Sequence, residues 1–104
     1  AHLPPADQSA RLARPLAAFT KATITDTRRL KAELARIRRQ GWAQDKGESA
    51  PSIEAFAAPV FARDGSMVAA LSIPFLAGTS AARMEEIRAA AVDAARAMSA
   101  AMPA

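Results

Sequence analysis

The chain offers few side chains from which a catalytic site could be built. Its 104 residues contain one histidine, His2, near one end of the sequence, and no cysteine. No serine and acid can be matched with His2 to make a nucleophilic set, no glycine-rich phosphate loop is present, and the acids lack the spacing of metal ligands. The sequence therefore argues against an enzyme and against a bound metal or cofactor.

Basic side chains crowd one short segment of the chain. Six of residues 28–39 are basic, and the only acid among them is Glu33: Arg28, Arg29, Lys31, Arg36, Arg38 and Arg39. Such a run is typical of a nucleic-acid contact, but also of the solvated face of an amphipathic helix. Leu30, Leu34 and Ile37 recur at helical spacing, and the basic residues fall mainly off that stripe. We favour a solvated face with the stripe buried in the domain, and keep a basic nucleic-acid-contacting module as the alternative.

Two helices dominate the predicted secondary structure. The first spans residues 26–40, with an N-cap oxygen from Thr25 or Asp26 and with Gly41 in the left-handed position that ends a helix. The second spans residues 81–101. Its buried side is expected to consist of apolar residues at helical spacing, several of them small: Met84, Ile87, Ala91, Ala94 and Met98.

An antiparallel hairpin is predicted in the middle of the chain. Residues 52–62 and 67–74 are apolar and compatible with strands, and Asp64-Gly65 between them is a strong hairpin signal. A short strand is predicted before them over residues 42–45. Because neither arm of the hairpin carries regularly spaced polar residues, we expect both faces of the sheet to be covered.

The order helix, short strand, hairpin, long helix indicates an α+β domain in which helices cover an antiparallel sheet. Before these elements, residues 7–16 are predicted as a short helix and residues 1–3 as the tail of a strand. At 104 residues the chain is one domain or a piece of one, and its start without Met or signal peptide suggests a piece. No apolar run is long enough to cross a membrane, and the lack of cysteine suits the cytoplasm.

Strand alternation gathers small side chains on one face of the hairpin. The residues that share it are Ile53, Ala55 and Ala57 in the first arm and Val68, Ala70, Ser72 and Pro74 in the second. Small residues leave room for a ligand, and an apolar surface with a few polar groups is typical of small-molecule sites. Structural alternatives exist, since a strand serine often bonds to neighbouring backbone and Asp45 can accept turn N–H bonds before Gly47. The alanines can also be small because a helix packs closely on them.

Four pieces of the sequence follow one another with the spacing of a known family. They are residues 26–43, a leucine-containing helix that ends in Arg38-x-Gln40-Gly41-Trp42-Ala43; Asp45-x-Gly47-Glu48; Ile53-x-Ala55-x-Ala57-Ala58-Pro59-Val60; and Asp64-Gly65-x-x-Val68-Ala69-Ala70-Leu71-Ser72. Together with the opening Ala1-His2-Leu3-Pro4 and the alanine-rich last helix, they resemble the effector-binding domain of bacterial transcription regulators of the IclR family.

The resemblance implies a GAF-like fold and the role of a small-molecule sensor in a DNA-binding regulator. Full-length members carry an N-terminal winged helix-turn-helix and a longer effector domain. Residues 1–104 would then be the C-terminal portion of a single effector-binding domain, and DNA would be bound only through the N-terminal domain. Members assemble through their effector domains, so a homo-oligomer, dimer or tetramer, is expected. An oligomerisation module without a small-molecule ligand is a further alternative.

The resemblance also indicates where an effector would bind. The expected site combines positions that contact ligands in relatives with neighbours on the same sheet face: Asp45, Ile53, Ala55, Ala70, Ser72 and Pro74. Relatives that hold small polar acids tend to carry a polar or thiol side chain at the position of Ala55 and a hydroxyl at the position of Pro74, and both are lost here. Because a buried carboxylate without partners is unfavourable, we expect a more apolar, aromatic effector with Ser72 as its main polar contact.

Overall fold

The computed structural model describes residues 1–103, which form three helices and one three-stranded antiparallel sheet. In chain order the elements are α1 (Pro5–Arg11), α2 (Thr27–Gln40), β1 (Ala43–Asp45), β2 (Ile53–Phe61), β3 (Met67–Leu76) and α3 (Ala81–Ala100). The sheet order is β1-β2-β3, so strands adjacent in the sequence are adjacent in space. The predicted α+β class and element order are confirmed. No helix in the described range is long and apolar enough to cross a membrane.

The ends of the two long helices follow from their capping residues. Asp26 accepts a hydrogen bond from the Arg29 N–H at 3.0 Å, and Gly41 ends α2 with a φ of 85°. Ser80 accepts a bond from the Arg83 N–H at 3.2 Å and begins α3. These side chains satisfy N–H groups that a helix leaves free at its first turn, and the αL position favours glycine.

The N-terminal residues differ from the prediction. Residues 1–3 are not assigned to a strand, and α1 begins at Pro5 rather than Asp7 and ends at Arg11 rather than Leu16. Pro5 does not end an element here but begins one, since the first helical position needs no N–H and suits the fixed φ of proline.

The core lies between α3 and one face of the sheet. Alternate residues of β2 and one stripe of α3 are buried against each other: Phe56, Ala58 and Val60 from the strand, and Ile87, Ala91 and Ala95 from the helix. The alanines allow the helix backbone to approach the strand closely. The predicted buried side of α3 is wrong at its C-terminal half, where Ala95 is buried while Met98 is 44% exposed, because the stripe continues at intervals of four residues.

The opposite face of the sheet carries no helix layer within residues 1–103, so the predicted covering of both faces is not seen in this range. Ala70, Ser72 and Pro74 of β3 are exposed on that face. The described chain measures 41 × 38 × 18 Å, which is the shape of a single helix layer on a single sheet. A strand without alternating polar residues has apolar side chains on both faces of the sheet. This pattern does not identify the element that covers either face.

The burial predicted for the apolar stripe of α2 is also wrong. Leu30, Leu34 and Ile37 are only half-buried, and no residue of α2 is fully buried. The helix joins the sheet at Gly41 and lies beside it, so α3 alone covers the core face. The basic residues of α2 still point mainly away from the stripe, as expected for a solvated helix face.

A bulge near the hairpin turn changes the register of β3. Val60 pairs with Ala69, but the next residue, Phe61, pairs with Met67, so Val68 has no partner on β2. A bulge adds one residue to one strand and bends it locally. Simple alternation therefore does not extend to Val68, which is 54% exposed.

Ser99 on α3 links this helix to the end of β2 by hydrogen bonds. Its hydroxyl accepts a hydrogen bond from the Phe61 N–H at 2.9 Å and donates one to the Ala95 carbonyl at 2.9 Å. Ser99→Ala leaves the strand N–H without a partner, which costs about 1–3 kcal/mol and is offset only by about 0.5 kcal/mol of helix propensity. We expect urea unfolding to show a loss of about 1 kcal/mol. The exposed control Ser49→Ala should be unchanged, and equal losses in the two variants would contradict the role given to Ser99.

Candidate functional site

The uncovered face of the sheet brings the predicted ligand-contacting residues of three strands into two adjacent rows. One row runs Asp45, Ala55, Pro74, and the next runs Ala43, Ala57, Ser72. We call these six residues the small-residue floor. Neighbouring strands lie about 4.8 Å apart and alternate residues of a strand about 7 Å apart, so the floor measures roughly 10 by 7 Å. That area matches one aromatic ring with its substituents.

Two of the predicted site residues lie outside the floor, at its opposite ends. Ile53 pairs with Leu76, and Ala70 pairs with Pro59. The two pairs are six residue steps apart along β2, which corresponds to about 20 Å. One small molecule therefore cannot contact both Ile53 and Ala70.

Ser72 supplies a polar group on the β3 side of the floor. Its side chain is exposed, and within residues 1–103 its hydroxyl has no hydrogen-bond partner. The described residues therefore do not show the alternative arrangement, in which the Ser72 hydroxyl bonds to neighbouring backbone. A free hydroxyl on an apolar surface can donate one hydrogen bond and accept others.

Asp45 lies on the β1 side of the floor and fixes the loop that follows it. Its Oδ1 accepts hydrogen bonds from the N–H groups of Gly47 at 3.0 Å and Glu48 at 2.8 Å. Thr20 donates to the Gly47 carbonyl at 2.7 Å. Gly47 has a φ of 82°, and a Cβ there would lie 3.2 Å from the Pro51 carbonyl oxygen. The turn role expected for Asp45 is confirmed, and its second oxygen, Oδ2, is not used in these bonds.

A groove of 210 Å³ adjoins the floor on the side of α2. Leu34 and Ile37 of α2 form its wall, and Ala57, Pro59 and Ala70 are part of its base. Small-molecule pockets usually measure about 300–1,000 Å³, so this groove is part of a site rather than a whole one. Around Asp45 and Ala55 the described residues form no wall.

The sequence did not predict the site residues whose position depends on the strand register or on the placement of α2. Ala43 enters the floor because it pairs with Ala57, and Leu34, Ile37 and Met67 line the groove. The half-exposed stripe of α2 was visible in the sequence, but nothing local shows that it borders the sheet. The register of the short strand depends on the loop that Asp45 stabilises.

Behind the floor, an aromatic cluster links β1 to the core. The Trp42 ring meets Phe56 edge to face, with ring centres 5.7 Å apart, and the Arg88 guanidinium lies 5.4 Å from the centre of the Trp42 ring. A cation over an indole face is favourable. Arg88 also hydrogen-bonds to Glu85, which lowers the pKa of that carboxyl. These contacts position Trp42 between the groove and α3.

The chemistry of this face is that of non-covalent binding. No group of three His, Cys, Asp or Glu side chains in the described part of the chain could hold a metal ion. A hydrogen bond from Arg36 lowers the pKa of Glu33, but that pair lies on the surface of α2 and not in the floor. The floor presents small apolar side chains with one free hydroxyl and one carboxylate oxygen.

The family of the chain is decided by a family model described as "Bacterial transcriptional regulator IclR C-terminal", which matches residues 1–100. The chain belongs to the IclR family. The match includes every element of the structure, from α1 to α3. The resemblance carried by the four sequence pieces is therefore confirmed, and the fold is the GAF-like effector domain of this family.

Relatives with known names are transcriptional regulators. The chain is 48% identical over 54 residues to the uncharacterised HTH-type transcriptional regulator RhmR of Escherichia coli, a match over 52% of this chain and 21% of RhmR. The chain spans less than a third of the curated relatives it matches. The crystal structure of the C-terminal domain of E. coli KdgR is 33% identical with a TM-score of 0.81, covering 93% of this chain and 61% of that one.

One similar crystal structure contains a small aromatic acid. It is an IclR homolog from Microbacterium hydrocarbonoxydans complexed with 4-hydroxybenzoate. Its sequence is 25% identical to the present chain and its TM-score is 0.80, with 96% of this chain and 41% of that one covered.

Proposed function

We propose that this IclR-family chain is the ligand-sensing part of a DNA-binding transcriptional regulator, and that its effector rests on the small-residue floor. The observation that supports this most is the uncovered floor itself, in which three strands contribute small side chains and one free hydroxyl. The 4-hydroxybenzoate complex of the Microbacterium homolog supports a small aromatic acid as the effector.

The polar groups of the floor favour an aromatic compound with two different substituents. Ser72 and Asp45 stand at diagonally opposite corners of the floor, about 12 Å apart by strand and residue spacing. Ser72 would donate a hydrogen bond to a ligand carboxylate or carbonyl. Asp45 Oδ2 would accept one from a ligand hydroxyl, whereas a carboxylate beside it would be repelled. A ring with an acceptor at one end and a hydroxyl at the other satisfies both groups.

We also propose that residues 1–104 are the C-terminal portion of a single effector domain. The KdgR domain, of which this chain covers 61%, supports a longer domain. Its remaining part would complete the wall that the described residues lack around Asp45 and Ala55. DNA would be bound by a separate N-terminal domain, and the regulator would be a homo-oligomer, a dimer or a tetramer.

The regulatory step in this proposal is a shift between two arrangements of the oligomer. A ligand changes such an equilibrium only by its difference in affinity for the two states. Because the floor lies on the sheet and borders α2, a bound ring would bridge α2 and the sheet, which otherwise contact each other weakly. Its binding energy would favour the arrangement in which α2 lies against the sheet.

A thermal-shift screen of the protein against aromatic acids and short polar acids tests the proposal. At ten times its dissociation constant a ligand stabilises the folded state by about 1.4 kcal/mol, which raises the midpoint of a domain this size by several degrees. We expect stabilisation by ring compounds such as 4-hydroxybenzoate that is lost in an Ala57→Leu variant, which fills the floor, and no stabilisation by short polar acids that depends on Ala57. Stabilisation by the short polar acids alone, again lost in that variant, would overturn the aromatic assignment. Stabilisation by neither class would overturn the floor as an effector site.

A further inference from the structure

A second cleft lies at the edge of the sheet, beside the groove that adjoins the small-residue floor. The cleft and the groove share His2, Ala58 and Pro59, but Arg38 and Arg96 line the cleft and not the groove. The cleft measures 340 Å³ and lies between the last turn of α2, the end of β2 and the C-terminal half of α3. Arg38 of α2, Arg96 of α3 and His2 contribute its titratable groups, and Ala58 and Val92 contribute to its apolar walls. No aspartate or glutamate lines it. Asp45 and Ser72 of the floor do not line it either.

The arginines of this cleft are not paired with acidic residues of the described chain. Within residues 1–103, neither Arg38 nor Arg96 forms an ion pair, whereas Arg36, Arg83 and Arg88 each do. The other polar residues of the cleft are occupied. The Ser99 hydroxyl both accepts from and donates to the backbone. The Gln40 side chain donates a hydrogen bond to the Trp42 carbonyl at 2.7 Å and accepts one from Arg36. Two arginines therefore line one cleft without an ion-pair partner among the described residues.

His2 adds a nitrogen that lacks a partner. Its Nε2 is shielded from solvent and makes no hydrogen bond, while the ring packs edge-on against Phe61 with centres 5.2 Å apart. A buried nitrogen without a partner is unfavourable. Burial lowers the pKa of His2, and Arg38 lowers it further. His2 therefore contributes to the wall of the cleft, whereas the two arginines supply its charge.

We propose that this cleft is a second ligand site, which binds a small organic dianion by Arg38 and Arg96. Two guanidinium groups match two negative charges, and each can hold a pair of oxygens on one phosphate or carboxylate group. The apolar walls provide room for a small carbon body beside the charged group. Phosphate monoesters and dicarboxylates share this chemistry. The site is independent of the effector proposed for the floor.

Isothermal titration of the protein at low salt tests this assignment with four aliphatic or inorganic probes, which lack the ring expected to bind the floor: propyl phosphate, succinate, inorganic phosphate and butyrate. We expect at least one of the two organic dianions to bind about tenfold more tightly than the monoanion butyrate, and more tightly than inorganic phosphate. Propyl phosphate and succinate distinguish the phosphate source from the dicarboxylate source. Binding should weaken in about 0.5 M salt, because the two arginines are exposed and their charges are screened.

Arg96→Gln should weaken the binding of the organic dianion about tenfold. Arg39→Gln, which removes an exposed arginine next to Arg38 that does not line the cleft, should leave it unchanged. Both sites are exposed, so unfolding midpoints should stay the same and serve as the folding control. Equal binding by wild type and Arg96→Gln, or equal binding of butyrate and the dianions, would overturn the proposal. A variant that fills the floor should not affect this titration, so the failure of one site is distinguishable from the failure of the other.

Discussion

Replacing Phe56 by alanine is expected to lower the free energy of unfolding by about 3–5 kcal/mol. Phe56 is 4% exposed and lies at the centre of the core, between the Trp42 ring and the Phe75 ring, whose centre is 5.3 Å away. Its removal loses the transfer free energy of a ring and leaves a cavity that Ile87 and Ala91 of a rigid helix cannot fill. For a domain of this size, whose total stability is about 5–15 kcal/mol, that loss is a large share.

The control for this substitution is Phe19→Ala. Phe19 is 73% exposed, so its removal should change the free energy of unfolding by no more than about 0.5 kcal/mol. Urea denaturation followed by circular dichroism measures both variants. A loss below about 1 kcal/mol for Phe56→Ala would mean that the layer between α3 and the sheet is not the core of the folded domain.

Replacing Ala57 by leucine is expected to weaken effector binding about a hundredfold or more. Ala57 is the middle residue of its row, between Ala43 and Ser72, and it also forms part of the groove beside α2. Three added carbons there occupy the space above the floor that the ring of a ligand would fill. Since Ala57 is not fully buried, the larger side chain should leave the unfolding midpoint nearly unchanged.

Ala69→Leu is the matched control for this substitution. Ala69 is an exposed alanine of the same sheet, pairs with the core residue Val60 and therefore belongs to the other face. Its replacement should leave affinity unaltered for the aromatic acid that gives the largest thermal shift. Tight binding by Ala57→Leu would show that the effector lies elsewhere on the protein.

Capping and turn chemistry made most of the secondary structure predictable. Asp26, Gly41 and the Asp64-Gly65 turn act within a few residues of themselves, so their effect is visible in the sequence. The face shared by Ala55, Ala57, Ser72 and Pro74 was also predictable, because alternation is exact between bulges. At Val68 a bulge interrupted it.

Burial was predicted less well because it depends on elements that are distant in sequence. The stripe of α2 and the lack of polar alternation in the hairpin each indicate that something packs there, and neither identifies the partner. Likewise, the width of the floor follows from the pairing of Ala43 with Ala57, which is set by the loop between them. The strand register sets the distances of Ile53 and Ala70 from Ser72. It therefore decides which of the two can contact the same ligand as Ser72.

The position of Trp42 allows ligand binding to be followed by intrinsic tryptophan fluorescence. It is the only tryptophan in a chain without tyrosine, so its indole dominates the intrinsic fluorescence. This indole borders the groove on one side and meets the Arg88 cation on the other. An aromatic effector seated beside it would alter emission wavelength and intensity without any attached dye. Occupancy of the floor can therefore be followed in real time, and a ligand in the cleft of Arg38 and Arg96, which Trp42 does not line, would leave the emission unaltered.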